Sequence, residues 1–187
     1  AFSQAGRCQL LSFLNQTPVR DTWLIFTQPL FTDGNVVIAR EDHPYVADLS
    51  ALDDVTVALP VGTSVEESVR RDFPRLRVIS TDTDAQALAL VNERKADLTV
   101  RSLTVAAYTI RREGWFNLKI AGQLTSLDNQ FRIGVLKSEP VLRDILDKAI
   151  ATITPGELNQ IANRHAPIRV ESGTDYRLVV QIVVVFS

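Results

Sequence analysis

Between residues 55 and 121, short β-type runs alternate with helical patterns, and this succession restricts the fold more than any other feature of the chain. Residues 56–59 form an apolar run of β character, and Gly62-Thr63-Ser64 leads out of its end. A helix is expected over residues 65–72, stopped by Pro74. Residues 77–80, 98–100 and 118–121 read as the next strands, with a helix opened by Thr83-Asp84-Ala85-Gln86 and another over residues 105–112 between them. An order of β-α-β-α-β-α-β implies an α/β lobe with a largely parallel sheet, and right-handed crossovers place its helices on both faces. Ser64 with Glu67 three residues on is a capping-box pattern, and Glu66 and Glu67 suit the positive end of a helix dipole.

The flanking segments read differently. Residues 8–13 are expected as a strand broken by Asn15-Gln16-Thr17-Pro18, and residues 36–39 as a strand reached through the turn Asp33-Gly34-Asn35. Residues 131–136 form a strand that leaves the lobe. A helix over residues 140–153 sets Leu142, Ile145, Leu146, Ala149, Ile150 and Ile153 on one face. Thr154-Pro155-Gly156-Glu157 then starts another, with Thr as N-cap, Pro in the first position and Glu in the third. That helix runs to about His165. Residues 179–186 are apolar except for Gln181, too few to span a bilayer, which takes about 20. They read either as a core element or as the start of a membrane helix, with Tyr176 and Arg177 as interfacial anchors.

Composition excludes several functions. At 187 residues, 45% hydrophobic and 22% charged, the chain can bury a core as one domain or two small lobes. A net charge of −2, with Lys and Arg dispersed, lacks the basic footprint of a nucleic-acid binder. One cysteine, Cys8, and two distant histidines, His43 and His165, make no metal-ligand spacing, so no metal or cofactor is expected. His43 reads as a loop residue, and no nucleophile–base set or Gly-rich phosphate loop appears, which argues against an enzyme.

Thr17-Pro18-Val19-Arg20 followed by Phe26-Thr27-Gln28-Pro29-Leu30-Phe31 resembles the T-x-x-R … F-[ST]-x-P-Y stretch of family 3 bacterial solute-binding proteins. Leu52-Asp53-Asp54-Val55-Thr56-Val57-Ala58 is similar to the start of their second lobe, Gly62-Thr63-Ser64 to their ligand loop, and Lys95-Ala96-Asp97 to a later strand start. The end of the chain resembles the Venus-flytrap domains of membrane sensor kinases and related signalling proteins, in which Asp175-Tyr176-Arg177-Leu178 would lead into a membrane helix.

The resemblance implies an α/β fold of the type 2 periplasmic-binding-protein class, with a complete lobe 2 and a partial lobe 1. Residues 1–35 would be the remainder of lobe 1 and the first hinge, and residues 36–130 lobe 2. Residues 131–168 would be the return strand and C-terminal helices on lobe 1, and residues 169–187 a juxtamembrane tail. It also implies ligand contacts. Arg20 would clamp a carboxylate, Thr63 and Ser64 would present a helix N-terminus, and Phe31 would line the cleft. Ser102 would be a further ligand contact, at the position where amino-acid binders of the family place an acid, and a serine there cannot offset the cost of desolvating an ammonium group.

The expected function is therefore that of a periplasmic sensor domain, anchored to the inner membrane by its C-terminal helix. It would bind a small polar, carboxylate-bearing solute and pass lobe closure to a cytoplasmic signalling domain such as a histidine kinase or diguanylate cyclase. The alternative is a free periplasmic solute-binding protein of an ABC transporter. Homodimer formation stays open.

Overall fold

Four consecutive apolar residues, Val36, Val37, Ile38 and Ala39, are buried to the last few per cent of their surface. A strand with no polar face has to be covered on both sides, and this one, β4 (Asn35–Arg40), lies inside a five-stranded sheet. The computed structural model describes residues 3, 5 and 7–165 of the chain.

The other strands of that sheet are β5 (Thr56–Pro60), β6 (Arg77–Thr81), β7 (Leu98–Ser102) and β8 (Leu118–Gln123), in the order β6-β5-β7-β4-β8. β5 is parallel to β6 and β7, whereas β4 is antiparallel to both β7 and β8. Four strands thus share one direction, as expected of a largely parallel sheet, and β4 runs against them.

Helices cover both faces. Helix α1 (Ser64–Asp72) sets Val65 and Val69 against Val37, Val57, Leu59, Leu98 and Val100. On the other face α2 (Asp84–Asn92) and α3 (Leu103–Glu113) bring Ala87, Leu88, Val91 and Ala106 onto Val36, Ile38 and Ala58. Local signals set the helix ends. Thr83 caps α2 by accepting from the backbone N–H of Gln86, and Gly114, at a left-handed φ of 73°, ends α3.

The cap of α1 differs from expectation. Thr63, not Ser64, accepts from the N–H three residues on, at Glu66. Thr63 has the extended backbone (φ −84°, ψ 152°) that a cap requires. Ser64 is the first helical residue, and its hydroxyl is left for another partner.

A second, smaller sheet is organised around one strand, β9 (Asn129–Leu136). β1 (Leu10–Leu14), β2 (Leu24–Phe26) and β3 (Phe31–Asp33) all pair with it antiparallel. Two passages join the bodies: β3 continues through Gly34 into β4, and the chain returns from β8 to β9. The pairing of β1 shifts register between Leu11 and Leu14, and Phe13 takes a left-handed φ of 55° there. Its ring lies with those of Phe31 and Phe131, at centroid distances of 6.4 and 5.5 Å.

Helix α4 (Pro140–Ile150) packs on β9 and β2 and stops three residues short of the expected end. Its covered stripe is narrower than the periodicity implies. Leu142, Leu146 and Ile150 are half-buried, while Ile145 is 58% exposed and Ala149 and Ile153 are also exposed. The stripe at i, i+4 and i+8 suffices to cover β9. Helix α5 (Pro155–His165) starts as its sequence predicts: Thr154 accepts from the Glu157 N–H, and the Glu157 carboxylate accepts from the Thr154 N–H at 2.8 Å. The apolar tail, with its two readings, lies outside the described residues. Among those described, no helix is long and apolar enough to cross a membrane.

Candidate ligand-binding cleft

The segment after β1 faces the N-terminus of α1 across a cleft between the two bodies. Thr17-Pro18 turns the chain into a short 3-10 helix, Arg20–Thr22, which points Arg20 across the cleft. One Arg20 terminal nitrogen donates to the Asn15 carbonyl at 2.8 Å, and the other to the Gly62 carbonyl at 2.9 Å in the opposite body. The second nitrogen also lies 3.7 Å from the Glu67 carboxylate, and the Arg20 and Glu67 side chains are only 13% and 24% exposed.

Asn15 makes the neighbouring bridge. Its Nδ2 donates to Ser64 Oγ at 2.8 Å and to Asn129 Oδ1 at 2.7 Å. Asn129 Nδ2 in turn donates to Asn35 Oδ1 at 2.9 Å, and Asn35 Nδ2 donates to the Leu127 carbonyl. Three amide side chains therefore run in series along the passages between the bodies.

Beside these bridges lies a polar cavity of about 360 Å³. Asn15, Gln16 and Thr17 form one wall, Ser64 and Ser68 of α1 another, and Asp128, Gln130 and Arg132 the floor. Arg132 is tied down by the Thr27 carbonyl at 2.8 Å and Gln130 at 3.0 Å. The lining holds amide, hydroxyl, carboxylate and guanidinium groups, so it can pair with a small polar solute of either charge.

The loop that carries Gly62 is braced from behind. Burial works against ionisation of Glu66, but hydrogen bonds from Ser80, the Gly62 N–H and Arg70 outweigh it and hold the carboxyl below its ordinary value. With its N–H fixed at 2.7 Å from Glu66, Gly62 presents its carbonyl to Arg20.

Of the residues singled out from sequence, Ser64 lines this cavity, whereas Arg20 bridges the bodies beside it and lines a separate, mostly apolar pocket with Cys8, Leu11, Leu14 and Trp23. Thr63 spends its hydroxyl within its own loop, donating to the Pro60 carbonyl at 2.9 Å and accepting from Glu66 N–H. Phe31 does not line the cavity; it stacks on Phe131 at 6.3 Å with the ring planes 10° apart. Ser102 is 4% exposed and caps α3 by accepting from the Val105 N–H. Asn15 and Asn129 were not expected at the site and Glu67 was expected only as part of a helix cap, because neutral amides in a loop and an acid in a first helical turn carry no local sign of a long-range partner. Among the described residues, no group of three or more His, Cys, Asp or Glu side chains could hold a metal ion.

No family model matches the sequence. The virulence sensor protein BvgS of Bordetella pertussis is 27% identical over 161 residues, which is 86% of this chain. Its periplasmic VFT2 domain, solved as a crystal structure, matches at a TM-score of 0.76 and 26% identity, over 87% of this chain and 69% of that one. The chain is similar to BvgS and has the Venus-flytrap fold. The five-stranded α/β body is one flytrap lobe, and the small sheet with α4 and α5 is part of the other. A histidine kinase sensor domain with similarity to periplasmic binding proteins shares the flytrap fold, at a TM-score of 0.77 and 21% identity, over 88% of this chain and 72% of that one. This chain spans 13% of the length of BvgS.

Proposed function

We propose that this flytrap is the periplasmic solute-sensing domain of a membrane-anchored, BvgS-like sensor kinase, and that it recognises a small polar solute bearing a carboxylate. The observation that carries this reading is the meeting of Arg20, Asn15 and Ser64 beside the polar cavity. A guanidinium and the start of a helix are both suited to an anion: Arg20 stands at the edge of the cavity, Arg132 lines it, and Ser64 brings the start of α1 to it from the other lobe. A solute held by both lobes favours the closed arrangement by as much as it binds that arrangement better. Closure would move β9 and the helices that follow it, α4 and α5, toward whatever lies beyond residue 165. The matched BvgS domain is periplasmic, which supports a place for this one on the outer side of the inner membrane.

Isothermal titration of this chain with a panel of small carboxylates tests it, with the corresponding amides as controls. Saturable binding of a carboxylate that is lost with its amide, and lost in Arg20→Ala, is the expected result. Equal binding of acid and amide would remove the anion from the reading. Fractionation of the full-length gene product addresses the anchor: recovery in the soluble periplasm alone would favour a transporter component instead.

A further inference from the structure

The arginine that the cleft offers to an anion already has one. Both terminal nitrogens of Arg20 donate to main-chain carbonyls, Asn15 on its own side and Gly62 on the other, and the nitrogen that reaches Gly62 also faces Glu67 at 3.7 Å. Glu67 sits one turn into α1, close to the positive end of that helix, where a carboxylate is favoured. Its Oε2 is buried with no hydrogen-bond partner among the described residues. A carboxylate oxygen in that position gains from any donor brought to it.

We propose that Arg20, the Gly62 carbonyl and Glu67 form an intramolecular clasp that holds the two lobes together with no solute between them, Glu67 acting as the built-in counterpart of a solute carboxylate. Glu67 then sets the threshold for binding. An incoming anion has to take Arg20 from Glu67, so a carboxylate binds the unaltered domain more weakly than it binds one that lacks the Glu67 charge. The geometry also fixes what removal of the clasp does. Asn15–Ser64 remains as the second bridge of the cleft, and the lobes gain freedom without separating. The binding half of this inference rests on the carboxylate reading proposed above, whereas the clasp itself does not.

Spin labels at Lys148→Cys on α4 and Pro74→Cys beyond α1, in a Cys8→Ser background, report the separation of the lobes in solute-free protein. A single narrow distance distribution is expected in the otherwise unaltered chain, broadened toward longer distances in both Arg20→Ala and Glu67→Gln. Glu67→Gln keeps the size of the side chain and serves as the variant that leaves folding intact. A distribution unchanged in Glu67→Gln overturns the clasp. Acetate titration supplies the second readout. An affinity about tenfold higher in Glu67→Gln supports the counter-ion role, being the gain from losing a competitor worth about 1.4 kcal/mol. Equal acetate affinity in the two proteins overturns that role. Acetate binding to neither, with the distances still responding, would retire the carboxylate reading and leave the clasp standing.

Discussion

Asn15 gives one amide hydrogen to Ser64 at the start of α1 and directs the same nitrogen to Asn129 at the start of β9, so one side chain ties both lobes to the strand that passes between them. Removing it in Asn15→Ala leaves Ser64 Oγ and Asn129 Oδ1 without their donor, in a part-buried setting. The expected cost is about 1–3 kcal/mol, the usual penalty for such orphaned groups. Urea denaturation should show a lower midpoint with an unchanged slope.

Gly122 predicts a harsher outcome. A Cβ there would lie 2.0 Å from the Val46 carbonyl oxygen and 3.1 Å from its carbon. The obstacle is backbone, held in place because the Val46 N–H donates to the Ala121 carbonyl at 2.7 Å. Gly122→Ala must therefore displace either the loop or β8, and a loss of about 3 kcal/mol is expected in a denaturation series. Stability equal to that of the parent protein would show that the loop moves freely.

Acid should act through Glu66. Its carboxyl lies below the ordinary value of 4.5 in the folded protein, because the Ser80, Gly62 and Arg70 hydrogen bonds overcome the opposing effect of burial. A depressed folded pKa means stabilisation that is fully present above the unfolded value and is lost as the pH falls through the folded one. As the pH falls below the ordinary carboxyl value of 4.5, the parent protein should lose stability more steeply than Glu66→Gln, which has no such proton to take up. Parallel melting-temperature curves for the two proteins would contradict this.

Ser102 separates scaffold from site. Its hydroxyl caps α3, so Ser102→Ala should cost about 1 kcal/mol, as caps generally do. Because the residue does not line the cavity, acetate affinity in the titration should be unchanged. A large loss of affinity with little loss of stability would return Ser102 to the binding set.

Much of the larger lobe was legible in the sequence. Its strands are short apolar runs, and its helix α2 begins at Thr83, whose short side chain caps locally. What escaped depends on distance along the chain. The reversed direction of β4 follows from the passage through Gly34, and no local pattern in Val36-Val37-Ile38-Ala39 distinguishes an antiparallel central strand from a parallel one. β2 and β3 were missed because three-residue strands have no periodicity of their own and exist only by pairing with β9. At α1 the capping pattern was read one residue late, since Thr63 and Ser64 are both good caps and each is followed three residues later by a glutamate. That single step matters for the site. It decides which hydroxyl caps α1 and which one meets Asn15.

β9 carries a mechanical consequence. Every strand of the small sheet hangs on it, and α4 follows directly from its end and lies back along it. It therefore works as a spindle. A twist applied where β9 leaves the larger lobe, at Asn129, is not shared out among independent strands but turns β1, β2, β3 and α4 together as one rotor. Under the proposed sensing function, the output would be an angle at the end of α5 rather than a change in length. Insertion of one residue in the turn between α4 and α5 should then disturb signalling more than an equal insertion in the loop at Pro74, which the spindle does not cross.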